Sequence, residues 1–156
     1  MATWQQFSVA QPDLAALGKR MLHLGREHGD REGGLAYLAT VSTAGRPRVH
    51  PISPVLVAGR LHAFVLKRSP KLHDLLANGH YALHSFPYPL SADWTDDEFY
   101  LAGRAILVED ARIRQAVAHG CGDDLATGEV FELLIERVMH KGRPGGNLLY
   151  AKWQAP

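Results

Sequence analysis

Near the start of the chain, apolar residues recur at helical spacing: Leu14, Leu17, Met21, Leu22 and Leu24 follow Pro12 and precede Gly29. The pattern predicts an amphipathic helix over about residues 12–28. The periodicity then changes. Leu35 to Ser42 ("LAYLATVS") is rich in strand formers, "TAGR" reads as a turn, and Pro47 to Val57 ("PRVHPISPVLV") resumes as a strand broken by Pro51 and Pro54. Proline cannot donate to a ladder, so this segment belongs at an edge or a bulge, with backbone groups left over for something else. Further strands are predicted at Leu61–Leu66, His80–Phe86, Glu98–Val108, Val130–Met139 and Leu148–Trp153, with Gly103 marking a bulge or tight bend. Two short helices separate them. One starts at Ser69-Pro70 and stops at Asn78-Gly79; the other is capped by Asp110 and runs from Ala111 to His119. "PYPLSADWTDD" and "HKGRPGG" read as loops, and there is no internal repeat. So many strands joined mostly by tight turns indicate a mainly β, Greek-key-like antiparallel barrel with short helices rather than an alternating parallel sheet. The length suits one domain over residues 1–156.

Composition adds exclusions. Lys and Arg number 17 against 16 Asp and Glu, a formal net charge of +1, so no global basic field recommends a nucleic-acid partner. The single cysteine, Cys121, excludes an intrachain disulfide framework and a thiolate zinc cage, and fits a reducing compartment such as the cytoplasm. The first residues lack a basic-then-apolar signal pattern, and no apolar run approaches the roughly 20 residues of a membrane span. A soluble protein with no membrane partner is expected.

Charge is nonetheless concentrated at one place. "VLKRSPKLHDLLANG" gathers Lys67, Arg68 and Lys71 around the start of the short helix, where Ser69 is a good N-cap, Pro70 suits the first helical position, and Leu72, Leu75 and Leu76 keep helical spacing. A helix N-terminus carries partial positive charge, so cations there are locally unfavourable. An anion would remove that cost, because free backbone N–H groups, a serine hydroxyl and two or three cations together make a phosphate cradle. Two readings stand at this point: a bound phosphate ester, or a solvated basic turn.

The ordered set "LAYLATVSTAGRPRVHPIS", "LHAFVLKRSPKLHDLLANGHYALHSF" and "EFYLAGRAILVED", closed by a terminal strand with a tryptophan, resembles the pyridoxamine 5′-phosphate oxidase-like family of flavin-binding split barrels. Leu35 to Val108 carries the likeness, most specifically in "GRPRVHP", "SPK" and "GRA". The resemblance implies an FMN-binding split β-barrel and a homodimer with the cofactor at its interface. It also implies an oxidoreductase passing electrons or hydride between a reductant and a small-molecule substrate. By position it assigns the FMN phosphate to Arg48, Lys67, Arg68, Ser69 and Lys71. The ring system falls along Val49, His50, Pro51, Ile52 and Ser53, and along Phe64, Val65 and Leu66, with His84 and Ser85 on the following strand also within reach. The prolines at 51 and 54 make that placement sensible, because ladder groups they leave free can bond the pyrimidine edge of a flavin. The tail "GGNLLYAKWQAP" holds Trp153 but lacks the arginine–histidine arrangement of true pyridoxamine phosphate oxidases, which argues against vitamin B6 oxidation. Relatives use the deazaflavin F420 or bind haem, and both remain open, as does a non-catalytic carrier or sensor.

Other constellations carry less. Nine histidines invite a metal, but no H-E-x-x-H or H-x-E…C-x-x-C pattern is present, and no metal is expected. His50 is either a hydrogen-bonded surface histidine or a donor near the ring system. Cys121 in "HGCGDD" has no neighbouring base, and no catalytic residue is indicated. Asp93, Asp96, Asp97 and Glu98 read as a solvated loop, in which Tyr88 and Trp94 are candidates to cover a cofactor ring of the dimer mate. Trp4, Phe7 and Trp153 are expected to pack or to line an interface.

Overall fold

A computed structural model of the chain describes residues 1–25, 33–86, 97–142 and 147–156. The leading helical region is two helices, α1 (Trp4–Ala10) and α2 (Pro12–Met21). α1 is set by a capping box in which Thr3 accepts from the Gln6 N–H and the Gln6 side chain accepts from the Thr3 N–H. α2 stops at Met21, short of the expected residue 28, because Leu22 already has non-helical backbone and His23 lies at φ 55°. Residues 26–28 lie outside the described residues.

Eight strands follow, all paired antiparallel. They are β1 (Ala36–Val41), β2 (Pro47–Ile52), β3 (Val55–Val57), β4 (Arg60–Leu66), β5 (His80–Ser85), β6 (Glu98–Leu107), β7 (Gly128–Gly142) and β8 (Leu149–Gln154). Helix α3 (Pro70–Asn78) joins β4 to β5, and α4 (Ala111–Cys121) precedes β7. With 44% strand against 30% helix, the molecule is mainly β. The segment expected as one strand over 47–57 breaks at Ser53-Pro54, and the consequence is large. The sheet order is β2-β1-β5-β6-β7-β4-β3, with β8 also on β7, so β2 and β3 are the opposite edges of the sheet. Yet only two residues join them, and two residues reach about 10 Å at most. The end of one edge strand therefore lies beside the start of the other, and the sheet is curled into a half-barrel.

The barrel interior holds Leu38, Leu61, Leu83, Leu101, Phe131, Leu133 and Ile135, and α1 closes one side with Phe7 between Trp4 and Trp153 (ring centroids 5.5 and 5.1 Å). A second apolar layer, with Phe64, Val117, Ala118, Cys121 and Val130, lies between α4 and the outer face of β4 and β7. β6 changes register between Ala102 and Gly103, the expected bulge. A Cβ at Gly103 would stand 2.0 Å from the Leu134 carbonyl oxygen, so only glycine fits there.

Candidate functional site

β2 is bonded only to β1, so its outer edge has no strand partner among the described residues. β4 pairs with β3 only at Arg60 to His62, so from Ala63 to Leu66 one of its edges is likewise open. These edges flank the split, and the turn from β4 into α3 lies at the end of one of them. Lys67 and Arg68 are exposed in that turn and make no ion pair among the described residues. Ser69 occupies the N-cap position of α3, with its backbone N–H bonded to the Leu66 carbonyl (2.9 Å) and no side-chain capping bond.

Strand alternation directs Arg48, His50 and Ile52 to one face of β2, and Pro47, Val49 and Pro51 to the exposed other face. On the inward face Arg48 Nη1 donates to Asp74 Oδ1 of α3 at 2.6 Å. Thr40 Oγ1 of β1 donates to the other Asp74 oxygen at 2.8 Å. Asp74 is 3% exposed, so this pair locks α3 onto β1 and β2 and orients the Arg48 guanidinium. Lys71 and Arg48 both lie close enough to His50 to depress its basicity, which burial lowers first and Asp74 partly restores. The structure thus brings Arg48 and Lys71 near His50, with Arg48 held on the Asp74 carboxylate. The basicity of His50 is held below the ordinary histidine range, and its Nε2 is buried with no hydrogen-bond partner. Burial also pulls the Lys71 ammonium below the usual lysine range, and no ion pair offsets it among the described residues.

The remaining candidates are distributed differently. Val65 and Ile52 are core residues, so only their backbone is available, whereas Leu66 and Val49 are exposed. Ser53 has left the strand and its carbonyl accepts from Cys121 Sγ at 3.5 Å. Pro51, Tyr37 and His84 are in register across β2, β1 and β5, which puts His84 on the opposite face from Arg48 and His50. His84 Nδ1 donates to the Ser85 carbonyl (2.7 Å), while the buried Ser85 hydroxyl accepts from the Phe99 N–H (3.0 Å). The same row continues through Tyr100 and Met139 to Lys152 and ends in a concavity of about 470 Å³ that also includes Arg137 and Trp153. Tyr88, Trp94, Asp93 and Asp96 lie outside the described residues. Asp74 and Thr40 escaped the sequence reading. One signal was present: Asp74 is the lone acid in the basic stretch 65–79.

No protein-family model and no curated protein matches the chain. Solved structures do. A heme binding protein from Mycobacterium smegmatis superposes with TM-score 0.60 at 19% identity over 77% of this chain and 52% of that one. A NimC/NimA family protein from Clostridium acetobutylicum gives 0.61 at 10% identity over 91% and 93%. A candidate pyridoxamine 5′-phosphate oxidase from Listeria innocua gives 0.59 at 16% identity over 80% and 95%. The chain has the split-barrel fold. It spans about half the length of the mycobacterial protein.

Within this split barrel the cation cluster suits an anionic group. Arg48 is oriented by Asp74 and keeps further N–H donors, Lys71 is half-buried without an ion pair among the described residues, and the Ser69 hydroxyl makes no capping bond. Arg48 reaches α3 at Asp74, while Lys67, Arg68 and Lys71 lie in sequence around the helix start. Among the described residues no group of three or more His, Cys, Asp or Glu converges on a metal position, and no helix is long and apolar enough to cross a membrane.

Proposed function

We propose that this split barrel binds FMN and passes electrons or hydride between a reductant and a small organic substrate, working as a homodimer with the cofactor at the seam. The observation that carries this reading is Lys71, a partly buried ammonium with no counter-ion among the described residues, close to His50 with its unpartnered Nε2. Lys71, Arg48, Ser69 and the exposed Lys67 and Arg68 would hold the phosphate. Open backbone edges of β2 and β4 would hold the ring system, offering both donors and acceptors to its polar edge. FMN, when bound, supplies the two-electron chemistry; the chain's own residues bind, orient and exclude water. Oxidation of vitamin B6 is not part of the proposal, since the tail around Trp153 lacks the arginine–histidine arrangement of true pyridoxamine phosphate oxidases. The lone cysteine, buried and in no disulfide, agrees with a cytoplasmic setting.

Replacing Lys71 by alanine tests the anchor. FMN affinity should fall tenfold or more, about 1.4 kcal/mol or above, with the circular dichroism spectrum unchanged. Wild-type affinity in that variant would remove Lys71 from the site.

A second reading, a haem carrier or sensor without turnover, is favoured by one observation: His50 has a buried, unbonded Nε2 and a depressed basicity, so it would be able to ligate a haem iron. The heme binding neighbour shares the fold. Absorption spectra of the purified protein separate the two, a flavin band against a Soret band. Bleaching by NAD(P)H then separates a reductase from a carrier, and oxidation of the reduced, dihydro form of F420 on addition of substrate marks a deazaflavin-dependent enzyme.

A further inference from the structure

A second polar cluster lies away from the cations of the split, beneath the first turn of α4. His62 on β4 is directly opposite Glu132 on β7, and Glu132 is directly opposite Ile106 on β6, so the three side chains form one row on the outer face of the barrel. That face belongs to the layer covered by α4, and His62 is fully buried there. Neither ring nitrogen of His62 makes a hydrogen bond of normal geometry, although the Arg60 carbonyl lies close enough to raise its basicity. Glu132 is half satisfied. Its Oε2 accepts from Arg60 Nη1 at 2.7 Å, while its Oε1 is buried and unbonded. Buried polar atoms almost always find a partner, so adjacent orphans on facing residues call for an occupant.

There is room for one. A cavity of about 330 Å³ opens onto these groups, and Ala58, Ile106, Leu107, Val108 and Ile113 provide its apolar walls. The volume is near the lower end for ligand pockets, which limits the occupant to a small molecule. Arg114 fixes the roof, bonding the Val108 carbonyl (3.2 Å) and Glu129 (2.8 Å) and thereby tying α4 to β7. The chemistry of the orphans then selects the class. A carboxylate oxygen only accepts, and a neutral imidazole offers one acceptor nitrogen, so two acceptors await N–H donors. Charge points the same way, because Glu109, Asp110 and Glu132 face the cavity against the single guanidinium of Arg60. Burial keeps His62 below the ordinary histidine range, against the pull of Glu132 and the Arg60 carbonyl, so the ring remains an acceptor near neutrality.

We propose that this cavity is a binding site for a small organic ammonium ion, which donates to Glu132 Oε1 and to the unprotonated nitrogen of His62 and rests its hydrocarbon body on Ile106, Val108 and Ile113. The proposal is independent of the cofactor assigned to the split. Benzylammonium chloride is a suitable probe, with benzyl alcohol and sodium benzoate as neutral and anionic controls of similar shape. Titration followed by calorimetry and by the ring resonances of His62 should give saturable binding for benzylammonium, at least tenfold tighter than for either control. Glu132→Gln keeps an oxygen for Arg60 but introduces donors, and should weaken binding at least tenfold. Ile106→Trp fills the mouth from a half-exposed position and should abolish it, so a Glu132 variant that failed to fold would leave the test intact. Absence of saturation, as for a cavity holding only water, overturns the proposal. So does benzoate or benzyl alcohol binding as tightly as benzylammonium, or wild-type affinity in the folded variants.

Discussion

At the scale of single residues, His62 and His50 couple stability to pH in the same direction. Both imidazoles are held below the ordinary 6.5, His62 by burial against the opposing pull of Glu132, His50 by burial and by Lys71 and Arg48. When the folded pKa is the lower one, the unfolded chain binds more protons between the two values. Unfolding free energy therefore rises with pH across that window, is fully present above about pH 6.5, and is lost as pH falls through the folded values. The urea midpoint should drop between about pH 7.5 and 5.5. His62→Leu should flatten part of that drop and raise the midpoint, since it removes two unsatisfied buried nitrogens. An unchanged slope would mean that His62 is not protonated with unfolding. The same residues show how far sequence reads. Lys67, Arg68 and Lys71 stand out in a short window, but the partner that occupies Arg48, Asp74, is 26 positions away on another element, and its burial is set by tertiary packing.

At the scale of elements, local chemistry was the better guide where it was punctuated. Ser69-Pro70 and Asn78-Gly79 bounded α3, with Gly79 in the left-handed region at φ 66°. Gly103 marked the bulge. Gly103→Ala would drive a methyl group into the Leu134 carbonyl, 2.0 Å away, and neither strand can retreat without losing its ladder. We expect destabilisation of about 3 kcal/mol, read from the shift in denaturation midpoint at constant slope. A cost near zero would show that the bulge can migrate. α1 escaped because its seven residues are too few for periodicity, although the Thr3…Gln6 capping box was there to be seen. α2 was drawn too long because Leu22 and Leu24 keep helical spacing while serving the core from non-helical backbone.

At the scale of the whole molecule, the prolines at 51 and 54 pointed to an edge, and the curled sheet explains why: the chain crosses from one border to the other within two residues. What lies across that border was not legible, since the periodicity of one chain does not mark what an open sheet edge faces. The FMN reading makes a test at this scale. In sedimentation velocity, absorbance at flavin wavelengths should travel with a species of twice the monomer mass, and FMN at about a hundredfold its Kd should stabilise the fold by about 2.7 kcal/mol. A coloured monomer would refute the seam. The sheet order also governs how this chain is born. Among the described residues β4, with β3 attached, finds its other strand neighbour in β7, and the bond from Arg60 to Glu132 spans 72 positions. On the ribosome, the hairpin of β3 and β4 must wait until residue 128 and beyond emerge, so the barrel closes late, and its assembly is governed by long-range search rather than by local turns.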